Sequence, residues 1–188
     1  VMYSDLRSQF YDRYYQDRHN EICSILLDDN HRVWLATYHK GIMRSDMPYV
    51  QGKKLSFSKV DTGSGKSEET MLCALEDADG NLWFGNIDGT LTVCHIRTGR
   101  FVVHSLLVDG VANRASVWAL YMDNKNRLYV GTGDGLLLYN HQESTCVKLS
   151  AERYLNEKRQ PFIRAIVQTK DGTIWLGTSN MGVCRLVE

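Results

Sequence analysis

One local pattern recurs four times and restricts the fold more than any other feature of the chain. "LDDNHRVWLATYHKG", "DADGNLWFGNIDG", "MDNKNRLYVGTGDG" and "TKDGTIWLGTSNMG" align on Trp34, Trp83, Tyr129 and Trp175, at intervals of 46 to 49 residues. The residue before each anchor is aliphatic (Val33, Leu82, Leu128, Ile174), and two positions after it stands a small one (Ala36, Gly85, Gly131, Gly177). A glycine closes each pattern, at Gly41, Gly89, Gly135 and Gly182, and Ile22, Met71, Val117 and Ile163 stand twelve positions before the anchors. Agreement at so many aligned positions makes this a repeat protein. Its period fits either a propeller or a helical solenoid.

Strand signals decide between the two. Each unit holds a short apolar run ("ICSILL", "VWALYM"), a polar turn, an aromatic-aliphatic run ("LWFG", "RLYVGT"), a glycine-bearing turn and a third run ("LLLYN", "VCRLV"). A fourth run, "KLSFSKV", "RFVVHSLLV" or "CVKLS", closes three of the units. No unit shows apolar residues at three- and four-residue spacing over a dozen positions, as a helix would require. Four short strands per unit, separated by Gly/Asn/Asp turns, predict an all-β fold: a β-propeller of four blades with four antiparallel strands each.

The repeats run over approximately 21–61, 70–108, 116–150 and 162–188, in one propeller or propeller fragment spanning 1–188. The last unit ends after its third run, and "SQFYDRYYQ" at 8–16 reads as a closing outer strand. Closure within the chain, closure between two chains as a homodimer, and membership of a larger ring all fit this pattern. Within each blade the Asp/Asn residues bond their own backbone, and Gly80 and Gly172 supply positive φ at the first turn. The Trp is expected to fill the seam between blades, and the small residue after it to let the next blade approach.

Composition narrows the function classes. Lys+Arg and Asp+Glu both number 22, so the basic excess that nucleic acid demands is missing. No apolar run reaches the roughly 18 residues of a membrane span, and no signal peptide opens the chain, so membrane contact by this segment is not expected. Cys23, Cys73, Cys94, Cys146 and Cys184 form no Cys-x-x-Cys pair and read as mostly buried thiols.

Three motifs invite a chemical reading and fail it. "GSGKS" (63–67) lacks the P-loop's first glycine, since Val60 holds that place, and it reads as an inter-blade linker. "DADGN" lacks the bidentate Glu of a calcium loop, with Asp88 in the twelfth position. "GTGDG" (131–135) lies between two strands without dinucleotide spacing. No catalytic residue, metal ligand or cofactor is therefore expected. Asp88, Asp134 and His39 would be the acid-base candidates if the chain were a propeller lyase or hydrolase instead.

Binding residues concentrate on loops held by a rigid scaffold. The turns joining second to third strands supply Tyr38, His39 and Lys40, then Asn86 and Asp88, then Asp134, then Ser179 and Asn180. This polar, mixed-charge set suits a neutral polyhydroxylated ligand. Eleven positions before the anchors stand Cys23, Leu72, Trp118 and Arg164, of which the last two are large where the register does not require it. Trp118 and Arg164 either touch a ligand or pack structurally, Trp118 in a seam and Arg164 against a carboxylate.

As a consensus the units read I-x-x-I-x-x-D-x-x-G-x-L-W-x-G-T-x-x-G-L-x-x-Y, which resembles the two-component regulator propeller repeat. The match is best at Asp77, Gly80, Leu82, Trp83, Gly85 and Gly89, and again at Asp171, Gly172, Ile174, Trp175, Gly177, Thr178 and Gly182. Ala36 and His31 depart from it in the first unit, and Tyr129 and Asn126 in the third. The resemblance implies the periplasmic sensor region of a hybrid sensor histidine kinase that detects carbohydrate fragments. Such regions carry about fourteen repeats in two rings, so four units correspond to a piece of one or to a small relative. The resemblance brings no fixed binding motif with it. A small-molecule or oligosaccharide ligand is the expected partner.

Overall fold

The computed structural model describes residues 21–65, 69–141, 143, 145–149 and 160–186. The expected closing strand at 8–16 lies outside them. The chain divides into two compact units, residues 1–71 and 72–188.

In the first unit, β1 (Ile22–Leu27), β2 (Val33–Thr37), β3 (Gly41–Ser45) and β4 (Phe57–Lys59) form one antiparallel meander in sequence order. Arg32 ties its first turn to its third strand, donating from Nη1 to the Ser45 and Asp46 carbonyls at 2.8 Å each.

The second unit holds three further sheets. β5 (Met71–Glu76), β6 (Leu82–Asn86), β7 (Thr90–His95) and β8 (Arg100–Ser105) repeat the four-stranded meander. The next sheet contains β9 (Leu107–Val108), β10 (Val111–Ala112), β11 (Val117–Met122), β12 (Leu128–Thr132), β13 (Gly135–Asn140) and β14 (Thr145–Leu149). The last has three strands, β15 (Ile163–Gln168), β16 (Ile174–Thr178) and β17 (Val183–Arg185). The fold is the expected all-β one, and each sheet is a β-propeller blade.

The first turn of every blade has the same physical cause. His31, Gly80, Asn126 and Gly172 occupy equivalent positions and all have positive φ, between 60° and 89°. Glycine adopts that region without steric cost, and Asn and His are among the side chains that tolerate it. Asp28, Asp77 and Asp123 brace the turn: one carboxylate oxygen of each accepts the backbone N–H groups two and four residues on. The second oxygen of Asp28 accepts from Trp34 Nε1 and that of Asp77 from Trp83 Nε1, both at 2.8 Å. In the third blade, where Tyr129 replaces Trp, the Asp123 oxygen takes Arg127 Nε at 2.6 Å, and the guanidinium lies 5.5 Å from the Tyr129 ring centre.

Within the second unit the small residue does what its register position suggests. A methyl group at Gly85 would stand 2.5 Å from Val117 Cγ1, and one at Gly131 would stand 2.6 Å from Ile163 Cγ2. Each of these glycines therefore receives the first aliphatic side chain of the next inner strand. Trp83 fills the seam beside it, its ring centre 6.1 Å from that of Tyr139 on the following blade.

One departure concerns "RFVVHSLLV". It does not run as one strand but breaks at the buried Leu106, and β9 and β10 form an extra hairpin whose first strand pairs parallel with β14. The turn is Asp109-Gly110, both at positive φ. An Asp-Gly pair between aliphatic residues is a strong hairpin signal, and "LVDGVA" carries it in plain view.

Candidate functional site

Three inner strands, β1, β11 and β15, share an irregularity. Ile22 and Ser24 pair with Thr37 and Ala36, Val117 and Ala119 with Thr132 and Gly131, and Ile163 and Ala165 with Thr178 and Gly177. One residue is thus extra in each strand: Cys23, Trp118 and Arg164. A β-bulge leaves its extra residue outside the ladder and re-aims its side chain. The two positions that stood out by size in the repeat are therefore bulge residues on consecutive blades.

The bulges bring Trp118 and Arg164 together. Arg164 Cζ lies 3.9 Å from the Trp118 ring centre and 4.8 Å from that of Phe162, and the two rings are 5.5 Å apart at 55°. Arg164 Nε donates to Ser179 Oγ at 2.9 Å. Asn180 locks the approach: its Oδ1 accepts the Phe162 N–H at 2.9 Å and its Nδ2 donates to the Gln160 carbonyl at 3.2 Å. Gly133 on the β12–β13 turn lies beside both rings: a methyl group there would stand 4.0 Å from Phe162 Cε2 and from Trp118 Nε1. A cation held against two aromatic rings and bonded to a hydroxyl is a candidate recognition surface. Among the described residues, Arg164 bonds the Ser179 hydroxyl rather than a carboxylate.

Other expected site residues have different roles. Asn86 is buried, with Nδ2 donating to Thr90 Oγ1 at 2.7 Å and Thr92 Oγ1 at 3.0 Å, so it braces its own hairpin. Asp88 Oδ1 accepts from the Thr90 hydroxyl at 2.6 Å within the same turn. Asp134 stands on the β12–β13 turn in an ion pair with Lys148 at 2.7 Å. Tyr38, His39 and Lys40 belong to the first unit. There Tyr38 and His39 meet edge to face at 4.6 Å, His39 has a φ of 81°, and Lys40 forms a parallel bridge with Glu69.

Phe162 was not singled out from the sequence. It lies two residues before Arg164, the spacing that places extended-chain side chains on one side. "PFIRA", an aromatic and a cation around the inner-strand start, was the signal available.

The opposite end of the same two blades holds a cleft of about 460 Å³ lined by Lys125, Arg127, Gln168, Asp171, Thr173 and Arg185, among others. It lies between the β11–β12 and β15–β16 turns. Arg127 is already bound to Asp123, and Asp171 to Thr169 and Thr173. The bulge cluster makes the stronger site, because named bonds orient its polar and aromatic groups.

Comparisons with known proteins agree with the architecture. The family model "Two component regulator propeller" matches residues 65–88, 110–134 and 158–180. No curated protein matches the chain in sequence. Among solved structures, it is similar to the extracellular domain of BT4673 from B. thetaiotaomicron, a protein assigned as a hybrid two component system, with 23% identity over 88% of this chain and a TM-score of 0.66. The corresponding domain of BT3049 from B. thetaiotaomicron, assigned likewise, gives 24% identity over 88% and a TM-score of 0.64. This chain spans 21% of each of those domains. Virginiamycin B lyase from Staphylococcus aureus shares the fold at 10% identity, with 92% of this chain and 57% of the lyase covered and a TM-score of 0.62.

Proposed function

We propose that this chain, three stretches of which match the two component regulator propeller model, is a non-catalytic ligand-sensing module of a hybrid sensor kinase, reading carbohydrate fragments in the periplasm. The observation that carries this reading is the pairing of Trp118 and Arg164 at bulges on consecutive blades. Aromatic faces suit the apolar faces of sugar rings, and the fixed donors beside them suit hydroxyl groups. The extracellular domains similar in fold support a location outside the cytoplasm.

Calorimetric titration of the purified chain with a panel of polysaccharide-derived oligosaccharides tests the reading. At least one should bind, and Trp118→Ala should weaken it by tenfold or more while the melting temperature stays within a few degrees. Absence of binding across the panel would contradict sensing of carbohydrate. Chemical conversion of a bound sugar would contradict the non-catalytic part.

A further inference from the structure

We infer that the ligand of the bulge site carries a carboxylate, an acidic sugar of the uronate class, and that Arg164 is its anchor. The inference rests on the carbohydrate reading above and names the substrate class within it. It also replaces the neutral ligand expected from turn composition alone.

The argument starts from what the guanidinium has already spent and what it retains. Contact with the Trp118 and Phe162 rings and the Nε bond to Ser179 Oγ hold the guanidinium in place. Arginine carries five N–H donors in a rigid fork, and the Nε bond uses one. The four on the two Nη atoms have no acceptor among the described residues. A planar pair of donors matches the two oxygens of a carboxylate, and such charge-assisted forks are roughly twice as strong as neutral hydrogen bonds. Fixing the fork in advance lowers the entropic cost of binding.

Among the described residues, no carboxylate is paired with this cation. Ser179, Asn180, Gln160 and Gly133 are neutral, and Asp134, the carboxylate on the adjacent turn, is held by Lys148. A neutral sugar would meet the aromatic faces equally well and leave the Nη donors to water. An acidic one would meet the same rings and also give those donors a carboxylate.

Matched pairs of oligosaccharides separate the possibilities: oligogalacturonate with its fully methyl-esterified form, and hyaluronan oligosaccharide with its carboxyl-reduced form. Each is titrated calorimetrically into the wild-type chain, Arg164→Met and Arg164→Lys, with thermal melts confirming that the variants fold. The acid of at least one pair should bind tenfold or more tighter than its neutral partner. That preference should vanish in Arg164→Met and be mostly lost in Arg164→Lys, which keeps the charge without the fork. Equal binding of acid and neutral forms would overturn the inference and leave the carbohydrate reading intact. Failure of acidic forms while other, neutral glycans bind would do the same. Failure of every glycan would overturn both.

Discussion

The second and fourth blades open with nearly the same words, "DADGNLWFG" and "TKDGTIWLG", yet their tryptophans live differently. Trp83 is 7% exposed, bonded to Asp77, stacked near His104 at 6.1 Å and set edge-on to Tyr139. Trp175 is 38% exposed, and the position equivalent to Asp77 holds Thr169, whose hydroxyl bonds Asp171 and the Thr173 carbonyl instead. Gly85 receives Val117 of the next inner strand, whereas the atom nearest a methyl at Gly177 is Ala165 Cβ of the same blade, at 3.4 Å. The shared words encode the hairpin and its turn. Burial comes from what the adjacent blade delivers.

Substitution of the two tryptophans should separate the blades most. Trp83→Ala is expected to cost about 3–5 kcal/mol, as large aromatic truncations in a packed core do, and Trp175→Ala about 1 kcal/mol. Chemical denaturation followed by circular dichroism reads both, and equal losses would break the comparison.

Asp77→Ala should cost about 1–3 kcal/mol through its lost charge-assisted bonds, against roughly 0.5 kcal/mol for Thr169→Ala. Burial alone would push the Asp77 carboxyl up, but bonds from Trp83, Asn81 and the Asp79 and Asn81 backbone hold it below the usual value. A depressed carboxylate stabilises the fold above its unfolded pKa of about 4, and that stabilisation is lost as pH falls through the folded value. Wild type should therefore lose stability over that acid window, with a visibly shallower slope in Asp77→Ala.

Adding a methyl group sharpens the contrast at the seam. Gly85→Ala should destabilise by about 1–3 kcal/mol through overpacking against Val117, and Gly177→Ala should stay within about 0.5 kcal/mol of wild type. A crystal structure of Gly85→Ala is expected to show Val117 displaced.

The smallest effect concerns His104. Burial beside Trp83 and the neighbouring His95 lower its pKa, and its Nδ1 lies 3.1 Å from Tyr139 Oη. The neutral form is favoured in the fold, so stability should fall modestly as pH drops from about 6.5 through the folded value. His104→Phe should flatten that segment of the pH profile in thermal melts.

Much of the architecture was legible because period, turn chemistry and anchor residues agree with one another. Met71 to Glu76 reads as an inner strand despite the tempting "GSGKS" before it, and β5 is that strand. The β9–β10 hairpin was lost because aliphatic residues ran through its boundary, although Asp109-Gly110 marked it. The candidate site was legible only as an anomaly. Trp118 and Arg164 were visible as outsized residues at one register position, but a one-residue bulge leaves no local signature that distinguishes it from continuous alternation. Asn86 shows the converse: a polar residue at a turn can spend its donors within its own hairpin, as Asn86 Nδ2 does on Thr90 and Thr92.

The central claim is that the repeat builds a scaffold and the bulge residues read a ligand. A ¹H–¹⁵N correlation spectrum, with tryptophan indoles assigned by substitution and recorded during titration with the acidic oligosaccharides above, tests it most directly. The account predicts that the Trp118 indole and the Arg164 Nε resonance move together and saturably, while the indoles of Trp34 and Trp83, fastened to Asp28 and Asp77, stay in place. A ligand that shifts resonances elsewhere and leaves Trp118 and Arg164 unmoved would contradict it.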